Sequence, residues 1–328
     1  MKISLAMHSS PRFSTWIWLG DWRVLVDAGD GASQQLGYKI RKIDTVLCTH
    51  AHRDHIGGLL QVINQRGEAG PFALAHPCGS RSFNELAAFS VKFNPGSSHQ
   101  AIWHALEEGD AVETGIEGRW VRAFRTRHYA DDRPQNAPRS LGFHLMWRKQ
   151  KVRADLRDLS QIELDQLRVR QGLAALQVLE AQGKAPAEKR EREALLQQLG
   201  REAITEPVDE KWITIGGDGQ PLRAEEVSRA QLLLHEATFL SPDDYDAEEA
   251  GEDVGHVHST VAQALEVAHE AQVENVVLYH ISTRYPDADI AQAVREEASK
   301  LKLQARVWAA MPRRVYWDLL REKPVYQP

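Results

Sequence analysis

Residues 49–58 read Thr49-His50-Ala51-His52-Arg53-Asp54-His55-Ile56-Gly57-Gly58. Four side chains able to ligate a metal, His50, His52, Asp54 and His55, fall within six residues. They directly follow Thr45-Val46-Leu47-Cys48, an apolar run with the composition of a buried strand. A packed strand end gives no reason for four polar side chains, because burying them unpaired is costly. Side chains alternate along a strand, so His50 and His52 share a face and both can meet one ion. Asp54 and His55 open the helix that follows and turn toward a second position. Imidazole with carboxylate is a donor set for zinc or a related first-row divalent ion. A lone histidine here would be read as a satisfied core residue; four donors at this spacing read as a metal site.

The rest of the chain alternates between two patterns. Short apolar runs at residues 3–7, 15–19, 24–26, 68–75, 119–126, 141–147, 212–215, 231–234 and 276–279 predict strands. Turn residues separate them, as in Ser9-Ser10-Pro11 and Asp27-Ala28-Gly29-Asp30-Gly31. Helices are predicted over 57–65 and 259–271. Residues 153–206 differ, being rich in Leu, Ala, Gln, Glu and Arg, which favour helix. There Leu156, Leu159, Glu163 and Leu167, and then Leu173, Leu176 and Leu179, recur at helical spacing. Gly183-Lys184-Ala185-Pro186 marks a turn, and residues 188–201 resume a helix. These patterns predict an α/β protein forming one domain over 1–328, with a helical hairpin inserted at about 153–206.

Composition narrows the class. With 42% apolar and 26% charged residues the chain is neither disordered nor fibrous. No apolar run reaches the ~18 residues of a membrane span, and the N-terminus lacks a secretory signal. Two cysteines, Cys48 and Cys78, suggest a reducing compartment, so a cytoplasmic protein with no membrane partner is expected. The net charge of −6 makes no whole-chain argument for nucleic acid. Residues 119–153 nevertheless hold ten Arg/Lys against two Asp, while 236–253 hold eight acids and no base. The basic stretch can meet phosphates, or the alternation can be one of solvated faces. The hairpin is nearly balanced, with nine basic and ten acidic residues.

The 49–58 motif resembles the signature of the metallo-β-lactamase superfamily. The resemblance implies a four-layer αββα sandwich with a dinuclear site at one edge of its two sheets. It also implies three further ligands, each at a strand end. His128, Asp218 and His280 stand in that order after predicted strands. The implied assignment puts His50, His52 and His128 on one metal and Asp54, His55 and His280 on the other, with Asp218 bridging. His144 lies within an apolar run and reads as a core or surface histidine. Two ions held ~3.5–4 Å apart activate a water and neutralise charge in phosphate ester hydrolysis, and Asp54 can orient that water.

Further motifs are similar to those of ribonuclease Z and its relatives. They are the Asp27 to Leu36 glycine-acid-glycine block, His235-Glu236-Ala237-Thr238, His258-Ser259-Thr260, and Tyr279-His280-Ile281-Ser282-Thr283-Arg284-Tyr285. The resemblance implies that Glu236 holds His258, and that His258 protonates the departing 3′ oxygen; His256 is a neighbouring competitor, and His235 is structural. It further implies precursor tRNA as substrate, cut to leave a 3′-hydroxyl, with two divalent ions, zinc by default and manganese as a chemical alternative, and a homodimer. The chain departs from the pattern in three places. His128 stands twelve residues before Ser140-Leu141-Gly142-Phe143, with Asp131, Asp132, Pro134 and Pro138 between, a loop that can reshape the substrate pocket. Gly217-Asp218-Gly219 keeps the ligand but not its hydroxyl neighbour. The hairpin sits where the family has its tRNA-gripping arm but lacks the Gly-x-Pro signature. A phosphodiesterase for small or cyclic nucleotides is therefore a second reading, another metallo-β-lactamase-fold hydrolase a third, and a metal-free scaffold a fourth.

Overall fold

Successive side chains of the central strands face two different apolar environments, and this sets the layering. The computed structural model describes residues 3–129, 135–244 and 258–328. Along these residues run β1 (Leu5–Ser10), β2 (Ser14–Leu19), β3 (Val24–Val26), β4 (Thr45–Leu47), β5 (Phe72–Pro77), β6 (Ala101–Leu106) and β7 (Ala111–Glu113). They continue with β8 (Arg119–Arg125), β9 (Leu141–Val152), β10 (Thr205–Ile215), β11 (Leu232–Glu236), β12 (Asn275–Tyr279), β13 (Arg306–Ala309) and β14 (Val315–Tyr316). Among the described residues they form two seven-stranded sheets, ordered β14-β1-β2-β3-β4-β5-β6 and β13-β12-β11-β10-β9-β8-β7. The helices are α1 (Ala32–Leu36), α2 (Arg53–Ile56), α3 (Leu59–Gly67), α4 (Arg81–Phe93), α5 (Pro95–Ser98), α6 (Gln161–Ala181), α7 (Lys189–Ile204), α8 (Ala224–Val227), α9 (Val261–Glu270) and α10 (Asp287–Lys300).

The two-residue period of the strands explains the core. Val24, Val26, Leu47, Leu232, Leu234 and Val277 face inward, where the two sheets pack on each other. Their chain neighbours face outward. Leu25 and Val46 meet Leu59, Val62 and Ile63 of α3 and Phe83 of α4. Leu233, Val276 and Leu278 meet Val261, Ala264 and Leu265 of α9 and Ile290 and Val294 of α10. The β3-β4-β5-β6 and β10-β11-β12-β13 runs are parallel, which requires helical crossovers and buries both faces. The result is the four-layer αββα sandwich.

Several local expectations shift. The helix expected at 57–65 is α3, which starts at Leu59, while the short α2 ends before it at Ile56. A Cβ on Gly58 would lie 2.4 Å from the Gly29 carbonyl, so the two backbones cross there without side chains. The strand expected at 68–75 is β5, starting at Phe72, because Gly70 takes a left-handed φ of 107° and turns the chain. The helix expected at 259–271 begins at Val261, since Thr260 caps it by accepting from the Gln263 N–H. The 212–215 run is the end of a longer strand, β10. No helix among the described residues is long and apolar enough to cross a membrane.

The chain divides into two compact units, Met1–Trp147 with Lys211–Pro328, and Arg148–Glu210. Within the second, α6 starts on a Ser160/Glu163 capping box and packs against α7. The leucine spacing places the contact only in part: Leu176 is buried, Leu173 is not. Gly172 and Gly200 form the crossing: a Cβ on Gly172 would sit 2.7 Å from the Leu196 carbonyl, and one on Gly200 2.4 Å from that of Arg168. Two glycines let the backbones approach closely, so Leu173 is left outside with Ile162 and Val169. Gly200→Val should therefore cost about 1–3 kcal/mol by overpacking and strip hydrogen-exchange protection from α6 and α7. Leu173→Gln should stay within about 0.5 kcal/mol of the parent. Unchanged protection in Gly200→Val would show that the crossing does not hold the unit together.

Candidate metal centre

Strand ends in both sheets deliver polar residues to one place. Asp27 follows β3, Thr49 and His50 follow β4, His128 follows β8, Asp218 follows β10, Glu236 ends β11 and His280 follows β12. Asp54 and His55 lie on α2. Ligand sites in parallel sheets gather at such carboxyl ends.

The donor atoms converge in several overlapping groups, among them two that flank Asp218. His50, His52 and His128 offer nitrogens within 4.8 Å of one another, and His52 Nδ1 lies 3.0 Å from His128 Nε2. Asp54, His55 and His280 form the second group. There His55 Nε2 lies 3.4 Å from His280 Nε2, and Asp54 Oδ2 lies 3.4 Å from His280 Nε2. Asp218 stands between the groups. Its Oδ2 is 3.1 Å from both His55 Nε2 and His280 Nε2 and 3.8 Å from His50 Nε2. His50 Nε2 and Asp218 Oδ1 are buried with no hydrogen-bond partner among the described residues. Orphaned buried acceptors on neighbouring residues are costly unless a cation sits among them. The residues present thus fit divalent metal ions.

Buried hydroxyls and carboxylates set the imidazole tautomers. Thr49 Oγ1 donates to Asp27 Oδ2 at 2.8 Å, so it accepts from His50 Nδ1–H at 3.0 Å and frees His50 Nε2. His55 Nδ1–H donates to Asp27 Oδ2 at 2.7 Å, which frees His55 Nε2. In the other sheet Thr238 Oγ1 donates to Glu236 Oε2 at 2.9 Å and accepts from His280 Nδ1–H at 3.0 Å. His258 Nδ1–H donates to Glu236 Oε1 at 3.0 Å, leaving His258 Nε2 unengaged by that carboxylate. Glu236 also accepts from the N–H groups of Thr238, Ser259 and Gly219.

Electrostatics favour positive charge at this place. Burial pushes His55 down, but Asp218 and Asp27 more than reverse this and hold its imidazole well above the usual histidine range. Burial raises Asp218, yet His280 and His55 carry it well below the carboxylate range. Burial also raises Asp54, yet its His280 contact and the His55 charge hold it far down. Burial drives His50 well down, with His55 and His128 adding to the effect, and lowers His52. His50 and His52 are thereby held neutral beside ionised Asp54 and Asp218, the forms that ligate, and a cation among the donors would take the place of the proton that His55 otherwise carries.

A cavity of about 420 Å³ opens over the donors, lined by His52, Asp54, Asp218, His258, His280, Phe239 and the Pro11-Arg12-Phe13 turn. Arg12 sits at a left-handed φ of 68° and donates its N–H to Asp54 Oδ2 at 2.8 Å. Such a conformation costs a non-glycine residue about 1–2 kcal/mol, here in contact with a site carboxylate.

The beta-lactamase superfamily domain model matches residues 22–193, over half the chain. The chain belongs to the metallo-β-lactamase superfamily. Ribonuclease Z of Methanosarcina acetivorans is 30% identical over 272 residues, 80% of this chain and 79% of that protein. Ribonuclease Z of Methanopyrus kandleri is 27% identical over 277 residues, 84% of this chain and 82% of that protein. The crystal structure of the short form of human tRNase Z matches with a TM-score of 0.53 at 17% identity, over 95% of this chain and 98% of that chain, a likeness of fold. The chain is a metal-dependent hydrolase of this superfamily, similar to ribonuclease Z.

All seven residues that the superfamily motifs single out as ligands, and the Glu236/His258 pair, come together. Asp27 and Thr238 were not among the candidates, although both stand inside motifs: Asp27 is an acid at the end of an apolar strand, and Thr238 closes the block begun by His235. His144 lies apart, stacked on Phe124 with its ring nitrogens near Thr214 and Glu226. His235 is satisfied by the Glu236 carbonyl and the Leu222 N–H. His256, Asp131, Asp132, Pro134 and the later part of the 236–253 acidic stretch lie outside the described residues. Much of the 119–153 basic stretch is engaged by protein partners. Arg119 lies over Trp22 and Trp147, Arg139 over Tyr129, and Arg148 pairs with Asp209.

Asp27→Asn replaces a carboxylate oxygen with an NH₂ group and disrupts support for His50 and His55. Zinc affinity, measured by chelator competition, should fall about 10–100-fold with the fold retained by circular dichroism. Asp218→Ala should lose ions from both groups by elemental analysis; two ions retained per chain would remove Asp218 from its place between them.

Proposed function

We propose that the chain is a ribonuclease Z-like phosphodiesterase that removes the 3′ trailer of precursor tRNA and leaves a 3′-hydroxyl. The observation that carries this is Asp218, set 3.1 Å from His55 and His280 and 3.8 Å from His50, beside a buried Glu236/His258 pair. Ribonuclease Z relatives at 27–30% identity over most of the chain support the same reading.

In this reading His50, His52 and His128 hold one divalent ion, Asp54, His55 and His280 a second, and Asp218 reaches both. Two such ions, zinc by default or manganese, supply Lewis-acid charge neutralisation and a nucleophile from water. Asp54, fixed by the Arg12 N–H, orients the attacking group. Glu236 fixes the His258 ring and supports its positive charge. His258 Nε2 then gives its proton to the departing 3′ oxygen, which becomes the new hydroxyl. The setting is the cytoplasm, and the assembly a homodimer, as for the proteins the motifs resemble. Residues 1–328 act as one catalytic domain carrying the helical arm.

A smaller phosphodiester, such as a cyclic nucleotide, is a second reading, favoured by the arm. Its cations Arg148, Lys149, Lys151 and Arg153 pair with Asp209, Glu210 and Asp155 of the same unit, which leaves less charge for an RNA backbone.

Incubating metal-loaded protein with a trailer-bearing precursor tRNA and with bis-p-nitrophenyl phosphate separates the two. Cleavage after the discriminator base supports tRNA processing; hydrolysis of the aryl ester alone moves the substrate to a smaller one. His258→Ala should retain both ions and slow RNA cleavage about 10²–10⁴-fold, with far less effect on an activated aryl diester. Equal slowing of both substrates would remove His258 as the proton donor.

A further inference from the structure

The cavity over the donor cluster carries an aromatic ring at its edge that the chemistry above does not use. Phe13 is 60% exposed, yet it lines the same cavity as His52, Asp54, His258 and His280. Isolated exposed apolar side chains are ordinary on any surface. What sets Phe13 apart from Phe89 or Phe93, also exposed, is how it is held. It lies at the tip of the β1–β2 hairpin, where Ser10 pairs with Ser14. The Phe13 N–H donates to the Ser10 carbonyl at 3.0 Å, and Ser14 Oγ donates to the Asp30 carbonyl at 2.7 Å. Between them Arg12, at φ 68°, ties the turn to Asp54. The ring is therefore carried on a turn pinned to the candidate metal centre.

A flat apolar ring carried on a fixed turn beside a phosphate-handling site matches the π-face of a nucleobase, and stacking of this kind accepts any base. We propose that Phe13 is a stacking platform for the base of a nucleotide flanking the scissile phosphate, making it a specificity-determining residue for nucleotides over simple phosphodiesters. This rests on the phosphodiesterase reading of the same cavity. The cavity, about 420 Å³, falls within the size range of small-molecule sites. Pro11 and Phe239 extend its apolar lining, while Arg12 and Arg284 bring positive charge for flanking phosphates.

The test uses the zinc-loaded full chain, Phe13→Ala and Phe13→Tyr. Titration with 2-aminopurine riboside 5′-monophosphate reads stacking directly, because stacking quenches its fluorescence. Phe13→Ala should lose most of the quench and bind about tenfold more weakly, and Phe13→Tyr should restore both. In parallel, kcat/KM for thymidine 5′-(p-nitrophenyl phosphate) should fall at least fivefold more in Phe13→Ala than kcat/KM for methyl p-nitrophenyl phosphate, mainly through KM. An unchanged quench in Phe13→Ala, or equal losses on the two esters, overturns the proposal. A Phe13-dependent quench without hydrolysis of either ester upholds stacking and removes the phosphodiesterase reading. Hydrolysis of both esters without such a quench does the reverse.

Discussion

The Asp27 carboxylate is the tie on which the first half of the site depends. It is buried at the end of β3, at a left-handed φ of 57°, and it accepts from the Thr49 N–H, the Thr49 hydroxyl and His55 Nδ1–H. One oxygen pair thereby connects the ends of two parallel strands to α2. Burial pushes this carboxyl up, against the pull of His55 and Thr49. Removing one member of such a buried pair typically costs about 3–5 kcal/mol, because the other is left unpaired. The orientations of His50 and His55 follow from it.

The second sheet repeats the device with different residues. Glu236 takes the place of Asp27, Thr238 that of Thr49, and His280 and His258 those of the two imidazoles. In each sheet a strand-end carboxylate binds a threonine hydroxyl, and that hydroxyl accepts from a histidine whose far nitrogen is thereby freed. Each carboxylate also holds a second imidazole directly. The parallel breaks at burial: His55 is fully buried among the donors, whereas His258 is only partly buried and lines the cavity with His280. His280, like Asp27, is held at a left-handed φ of 57°, and its backbone N–H is fixed by Ser9 Oγ of β1. The two sheets are thus joined at the site by hydrogen bonds as well as by the apolar core between them.

What was legible in the sequence was local. The apolar runs ending at His50, Asp218, Glu236 and His280 announced both the strands and the polar residues delivered by them, because a strand's two-residue period is written in adjacent positions. The roles of Asp27 and Thr238 were not legible, since each depends on partners brought close only by folding; Asp27 and His55 are 28 residues apart. The arm shows a different failure. Its leucines recur at helical spacing and Leu176 is buried, but Gly172 and Gly200 admit a closer backbone approach than leucine can, and Leu173 is left outside. The strands at the sheet edges, such as β6 with its exposed Ile102, carry too weak an alternation to be read.

The split of the donors between the sheets has a consequence for biosynthesis. His55 and His280 are separated by 225 residues. At about 5–20 residues per second, roughly ten seconds to three quarters of a minute pass between their emergence from a ribosome. During that interval the nascent chain carries His50, His52, Asp54 and His55 as an incomplete chelator, and such sets bind cupric ion more tightly than zinc. The full set exists only once both sheets have docked. The early donors alone therefore do not make the site; its completion waits on the strand that carries His280 and on the docking of the second sheet.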